Sequence, residues 1–276
     1  MIIDAITRIE KNDNIENVAL NFHRPSKGTY IIVDKDFNYK VISRERFSFN
    51  SKYVVMDFYS QIIELNKAVD RKKLITSNNY LTFFCKNADK LTTEIIDNYY
   101  NILETPENCL VYRDWIKENI FSLFSLIKTK EVIKIFFVNN DIQTYIDCGK
   151  RYLEKYILSN NMDIDGETYG TSVFLNLNSK KPFLKTLTRG IEIPHVVDID
   201  EAIKYKYFSD ILVSLAKNGY EILYILGNGE LLPIKPGELP KRDLIDVMIL
   251  AYKIDNRGKI AILDMDIVPR FTNKLQ

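Results

Sequence analysis

The chain is poor in the residues that build metal and thiol centres. Its three cysteines, Cys85, Cys109 and Cys148, lie far apart with no Cys-x-x-Cys pair, and its two histidines are His23 and His195. This excludes a zinc ribbon and predicts a reducing compartment. No Gly-x-Ser-x-Gly elbow or Walker loop is present. Gly227-Asn228-Gly229 lacks the third glycine and the following helix of a dinucleotide fingerprint. No apolar run approaches the roughly 18 residues of a membrane span. The start, Met1-Ile2-Ile3-Asp4, has neither the cations nor the apolar core of a signal peptide. A cytoplasmic protein without membrane contact is expected. Net charge is only +1, so any nucleic-acid contact must come from a local patch.

What is there reads as a soluble globular chain. Its 276 residues permit one large domain or two small ones, and 46% apolar with 27% charged residues is ordinary. Ile2, Ile3, Ile6 and Ile9 predict a helix over 2–10, and Tyr30–Val33 with Tyr39–Ile42 a hairpin. A helical stripe of Val55, Tyr59, Ile62 and Ile63 follows, then a strand from Tyr80 to Cys85. Three helices carry the stripes Leu91–Leu103, Ile116–Ile127 and Ile142–Ile157, with Val132–Val138 as a buried strand before the last. Residues 159–170 are polar and turn-rich, which places a boundary there between an N-terminal part, 1–160, and a second part, 161–276. Beyond it come a strand at Val173–Leu177, a helix through Ala202–Leu215, a Gly227–Glu230 hairpin and a strand at Lys259–Ile267. Helices and hairpins interleave irregularly, so the expected class is α+β, with mixed sheets and several amphipathic helices.

The stretch Asn66–Lys86 joins cations to a polar corner. Lys67, Arg71, Lys72 and Lys73 precede Ser77, Asn78, Asn79 and Tyr80, with the β-rich run to Cys85 directly after. Cations grip phosphates, and carboxamides read base edges. The plainer reading is a solvated turn. A second candidate patch is the run Thr168–Ile191, which contains no acid but has Lys180, Lys181, Lys185 and Arg189; its plainer reading is a solvated loop. Catalytic chemistry is hard to find. Asp264 and Asp266 alternate on one strand face and could share a divalent cation, the basis of a metal-dependent nuclease reading. The expectation is a binding protein, not an enzyme, without cofactor or metal.

The run Asn66-Lys67, Asp70, Lys72-Lys73, Ser77-Asn78-Asn79-Tyr80 resembles the signature of the large subunit of type I-B CRISPR Cascade complexes. Lys90-Leu91-Thr92 through Ile95-Ile96-Asp97 and Tyr99-Tyr100 to Leu103 is similar to that family too, and so, less sharply, is Ile260–Pro269. Only the first match is specific enough to carry the family name. Members of that family are commonly much longer and end in a helical bundle, so the resemblance is to their N-terminal part, whether as a shortened chain or a naturally split version. It implies a non-catalytic subunit of a guide-RNA-directed antiviral complex. Such a subunit holds the 5′ handle of the guide RNA and recognises the DNA motif beside the target (the PAM). It helps to open the duplex and docks the separate helicase–nuclease effector. The implied partners are guide RNA, target DNA, the other Cascade subunits and that effector, with base pairing reading the sequence and protein reading the short motif. Some members carry clustered cysteines that look zinc-binding; this chain does not. The alternatives are a protein–protein adaptor and the nuclease.

Overall fold

The computed structural model describes residues 2–86, 90–127, 131–139, 141–176, 196–256 and 258–272. In chain order the elements begin with helices α1 (Ile2–Ile9) and α2 (Ile15–Phe22), strands β1 (Thr29–Val33) and β2 (Tyr39–Ile42), and helices α3 (Arg44–Ser48) and α4 (Ser51–Phe58). There follow β3 (Thr82–Cys85), α5 (Thr93–Ile102), α6 (Leu110–Ile127), β4 (Ile133–Phe137) and α7 (Ile142–Tyr156). The chain continues with β5 (Ser159–Ile164), β6 (Glu167–Thr171), β7 (Val197–Asp198), α8 (Ile199–Lys217), β8 (Ile222–Leu226), β9 (Leu231–Ile234), β10 (Leu244–Ile254) and β11 (Ile260–Phe271). Helices and sheets are both present without a regular βαβ alternation, so the class is α+β.

The chain divides into two compact units, 24–156 and a second built from 1–23 together with 157–276. The first helices, placed by sequence with the N-terminal part, therefore belong with the C-terminal part. α1 packs on β8, and Arg8 bonds both the Asp246 carbonyl and its carboxylate, at 2.9 and 2.7 Å. Gly229 lies at φ +87 where a Cβ would meet the Arg8 carbonyl at 2.6 Å, so the β8–β9 turn needs glycine to fit against α1. α2 lies along α8, tied by Tyr207 Oη to Glu16 and by Ser214 Oγ to the Phe22 carbonyl. The long-range nature of these contacts is why sequence adjacency misplaces α1 and α2. This unit holds an antiparallel sheet in the order β11-β10-β8-β9 and a smaller one, β5-β6-β7.

One sequence expectation changes here, and the turn-rich stretch at the expected boundary proves to be a hairpin. Residues 159–170 form the β5–β6 hairpin, closed by Asp165 and Gly166, both at positive φ, with Gly166 N bonded to Asp163 Oδ1. Asp-Gly is the two-residue hairpin signal, but mostly exposed flanking strands hide it from an apolar pattern. The strand expected at Val173–Leu177 is not extended over its described residues: Phe174–Asn176 is a 3-10 turn, with Leu175 at φ 57 and Phe174 N bonded to the Ser172 hydroxyl, while Leu177 lies outside the described residues. That local serine bond competes with extension.

Unit 24–156 is built on a four-stranded mixed sheet in the order β2-β1-β4-β3, in which β1 and β4 run parallel and the other pairs antiparallel. All five residues of β4 are buried, including Lys134. Its ammonium meets the Asp57 carboxylate at 2.9 Å, between the rings of Tyr30 and Phe84. A buried charge pair of this kind adds little net stability, but losing one partner strands the other charge. Trp115 on α6 bonds the Phe37 carbonyl and meets the Phe137 ring edge-on, as an anchor of this core. α5 and α6 pack together, as do α4 and α7. At the α4–α7 contact Gly149 comes so close that a Cβ would lie 2.5 Å from the Tyr59 carbonyl. α7 is thereby pressed against the chain leaving α4.

Candidate nucleic-acid interface

The stretch between α4 and β3 is not a simple helix-to-strand corner. α4 stops at Phe58, short of the Ile62–Ile63 end of the expected stripe, and Gln61 pairs with Ser77 in an isolated antiparallel bridge. Between them the chain runs out through a 3-10 turn, Leu65–Lys67, and back through Ile75, which bridges Cys85. Asp70 organises the return. Its carboxylate accepts from the backbone N–H of Lys72 at 3.0 Å, Leu74 at 2.6 Å and Ile75 at 3.4 Å. This is the Asx-turn chemistry that lets a short acid hold its own chain. The turn places Lys73 at φ 60 and its N–H on the Asp70 carbonyl.

The loop so held exposes its cations. Arg71, Lys72 and Lys73 are all exposed, and among the described residues no ion pair engages Arg71 or Lys72. Lys73 Nζ reaches Asn66 Oδ1 at 3.0 Å. Lys67 is half-buried, which pushes its ammonium below the usual lysine range against the opposing pull of Glu64. The structure therefore brings these four cations onto one short loop.

The polar corner after them is buried instead. Ser77, Asn78, Asn79 and Tyr80 are at most 6% exposed. Asn79 is spent internally at both ends: Nδ2 donates to the Tyr145 carbonyl and Oδ1 accepts from Leu81 N. Ser77 Oγ accepts from Phe84 N and lies 2.8 Å from the Tyr99 hydroxyl. That hydroxyl also serves the Asn79 and Thr82 carbonyls, at 2.9 and 3.1 Å. Thr82 Oγ1 and N both bond the Asn79 carbonyl, which is why β3 starts at Thr82 and not at Tyr80. The Tyr80 hydroxyl bonds the Cys148 thiol, and burial pushes both groups up from their ordinary pKa.

Asn78 differs from its neighbour. Its Nδ2 donates to the Gln61 carbonyl at 2.8 Å, while its Oδ1, also buried, has no hydrogen-bond partner among the described residues. Asn78 also lines a small pocket together with Tyr80, Glu104 and the α7 residues Arg151, Tyr152, Lys155 and Tyr156. The α7 residues escape a motif-based reading because Tyr156 there is simply part of an apolar stripe. The available signal is the pairing of Arg151 with Lys155 and of Tyr152 with Tyr156, each four residues apart on one helix face.

Lys180, Lys181, Lys185 and Arg189 lie outside the described residues, as does His195. Asp264 and Asp266 are exposed on β11 and each accepts from the next residue's own N–H. Their register partners on β10 are Ala251 and Ile249. Among the described residues no group of three His, Cys, Asp or Glu side chains is placed to hold a metal ion. Among them, too, no helix is long and apolar enough to cross a membrane. The three cysteines are free and buried. Comparison with protein-family models, curated proteins and solved structures finds no match to this chain.

Proposed function

We propose that the chain is a non-catalytic nucleic-acid-binding subunit of a guide-RNA-directed antiviral complex, similar to the N-terminal part of the type I-B Cascade large subunit. In this reading Lys67, Arg71, Lys72 and Lys73 contact phosphates of the guide-RNA handle or of the DNA beside the target. The supporting observation is the loop itself: Arg71 and Lys72 are exposed without ion pairs among the described residues, on a backbone pinned by Asp70 and by a buried corner. Preorganised cations of this kind contact phosphates with little ordering cost. Ser77, Asn79 and Tyr80 support the loop from below and touch no partner themselves. Guide RNA, target DNA, the other Cascade subunits and the helicase–nuclease are the partners of this reading, and the cytoplasm its place.

Charge reversal tests it. Lys72→Glu with Lys73→Glu should abolish ultraviolet crosslinks between this loop and RNA or DNA in the assembled complex while leaving subunit composition intact. Retained crosslinks overturn the phosphate reading. Loss of a neighbouring subunit before any loss of nucleic acid would instead assign the loop to protein contact, as an adaptor.

A further inference from the structure

β11 is the outermost strand of its sheet, 12 residues long and mostly apolar. Among the described residues no strand lies on its outer side, and the Phe174–Asn176 turn packs near it without a backbone hydrogen bond to it. Leu263 and Ile267 on β11 and Ile245 on β10 are exposed. A long apolar edge of this kind is a template for pairing with another chain. Which backbone groups it offers follows from the ladder. Tyr252 N bonds the Glu221 carbonyl, so residues of even number on β10 address β8. Those of odd number address β11, where Ala251, Ile249 and Val247 face Asp264, Asp266 and Val268. Met265 and Ile267 between them, and Pro269 after, therefore turn their backbone edge outward. No donor in that row of three is available. Met265 N bonds Asp264 Oδ1 at 2.9 Å, Ile267 N bonds Asp266 Oδ1 at 2.8 Å, and Pro269 has no N–H. At the other end of the row Leu263 is a bulge, opposite the step from Ala251 to Tyr252, and interrupts the ladder.

We propose that Asp264, Asp266 and Pro269 guard this edge, and that the strand they keep off is β11 of a second copy of the chain. Antiparallel self-pairing needs the outward donors, and the acids oppose it by charge as well. Centred on Met265, such pairing sets Asp264 against Asp266 of the other copy. Centred on Asp266, it sets that carboxylate against its own counterpart at close range. Centred on Ile267 or Val268, it brings Arg270 opposite Asp264 or Asp266 and the like-charge clash is gone. Those two registers place Pro269 in the hydrogen-bonded row, so there the proline carries the block. The two carboxylates, which by sequence could share a cation, are on the strand each turned to the next residue's N–H. This guard is independent of nucleic-acid binding.

Sedimentation equilibrium of the whole chain tests it. The parent should keep the mass of one chain as its concentration rises. Asp264→Thr with Asp266→Thr and Pro269→Val restores the outward donors and removes the like charges, so its mass should climb toward that of two chains. Asp36→Thr with Glu238→Thr removes the same charge from exposed positions away from β11 and should stay at one. In the paired variant, hydrogen exchange should slow across residues 260–271 at high concentration. A triple variant that melts like the parent and stays at one chain overturns the proposal. So does pairing without that slowing, or a parent that already pairs through β11. Should the triple variant melt lower, Asp266→Ala alone decides. Without its cap the Ile267 amide should exchange about fivefold faster, after correction for the substitution's intrinsic effect, while Met265 keeps the parent's rate. Unchanged exchange at Ile267 overturns the proposal equally.

Discussion

Two neighbouring halves of one loop make opposite use of polar residues. Arg71, Lys72 and Lys73 stand in solvent on an Asp70-centred turn, whereas Ser77, Asn78, Asn79 and Tyr80, a few residues on, are buried. In the first half the backbone is bonded and, among the described residues, the side chains of Arg71 and Lys72 make no ion pair while Lys73 reaches only Asn66. In the second the side chains themselves do the bonding, with Asn79 closing on Tyr145 and Leu81 and Ser77 on Tyr99 and Phe84. The difference teaches that the residues of a polar signature need not all face a partner. Some of them can meet it, while others build the shelf on which those side chains are held.

The contrast breaks most visibly in stability. The Lys134–Asp57 ion pair is buried beside β3, so Asp57→Ala should destabilise by about 3–5 kcal/mol in chemical denaturation. Combining it with Lys134→Met should recover much of that loss, because no charge is then left buried. Next comes the corner: Asn79→Ala leaves the buried Leu81 N–H without its partner and removes the side-chain bond to the Tyr145 carbonyl, and should cost about 2–4 kcal/mol. Its folded fraction should bind nucleic acid with the same salt dependence as the parent. Tyr99→Phe, which removes one hydroxyl shared by Ser77, Asn79 and Thr82, should cost about 1–3 kcal/mol. At the small end, Lys72→Ala with Lys73→Ala should leave the thermal melt unchanged, since both are exposed and Lys73 loses only its bond to Asn66. A corner variant that melts like the parent, or a cation variant that unfolds, would erase the contrast.

Much of the fold was legible because its signals are local. Apolar stripes at helical spacing give α5, α6 and α7, and the continuous run before α7 gives β4 as a buried strand, even across Lys134. The Asn-Gly turn gives the β8–β9 hairpin. What was not legible depends on distant contacts. The grouping of α1 and α2 with residues 157–276 rests on Arg8 meeting Asp246 and Tyr207 meeting Glu16. The signature loop could be found by its residue types, but not its division into outward and inward halves. That division is set by Tyr99, Tyr145 and Gly149, none of which lies in the loop. The pocket, too, joins Asn78 to Arg151 and Tyr156, which lie more than seventy positions away in sequence.

The outward half carries the functional account, and the salt dependence of binding tests it most directly. Affinity of the full chain, alone and in the assembled complex, is measured for single-stranded RNA and duplex DNA over a series of salt concentrations, for the parent and for Lys72→Ala with Lys73→Ala. Removing one cation from a phosphate should make the log–log slope shallower by about one unit, so the double variant should be shallower by about two, with weaker binding to every sequence. An unchanged slope in a protein that melts like the parent would contradict the claim that these exposed cations hold nucleic-acid phosphates.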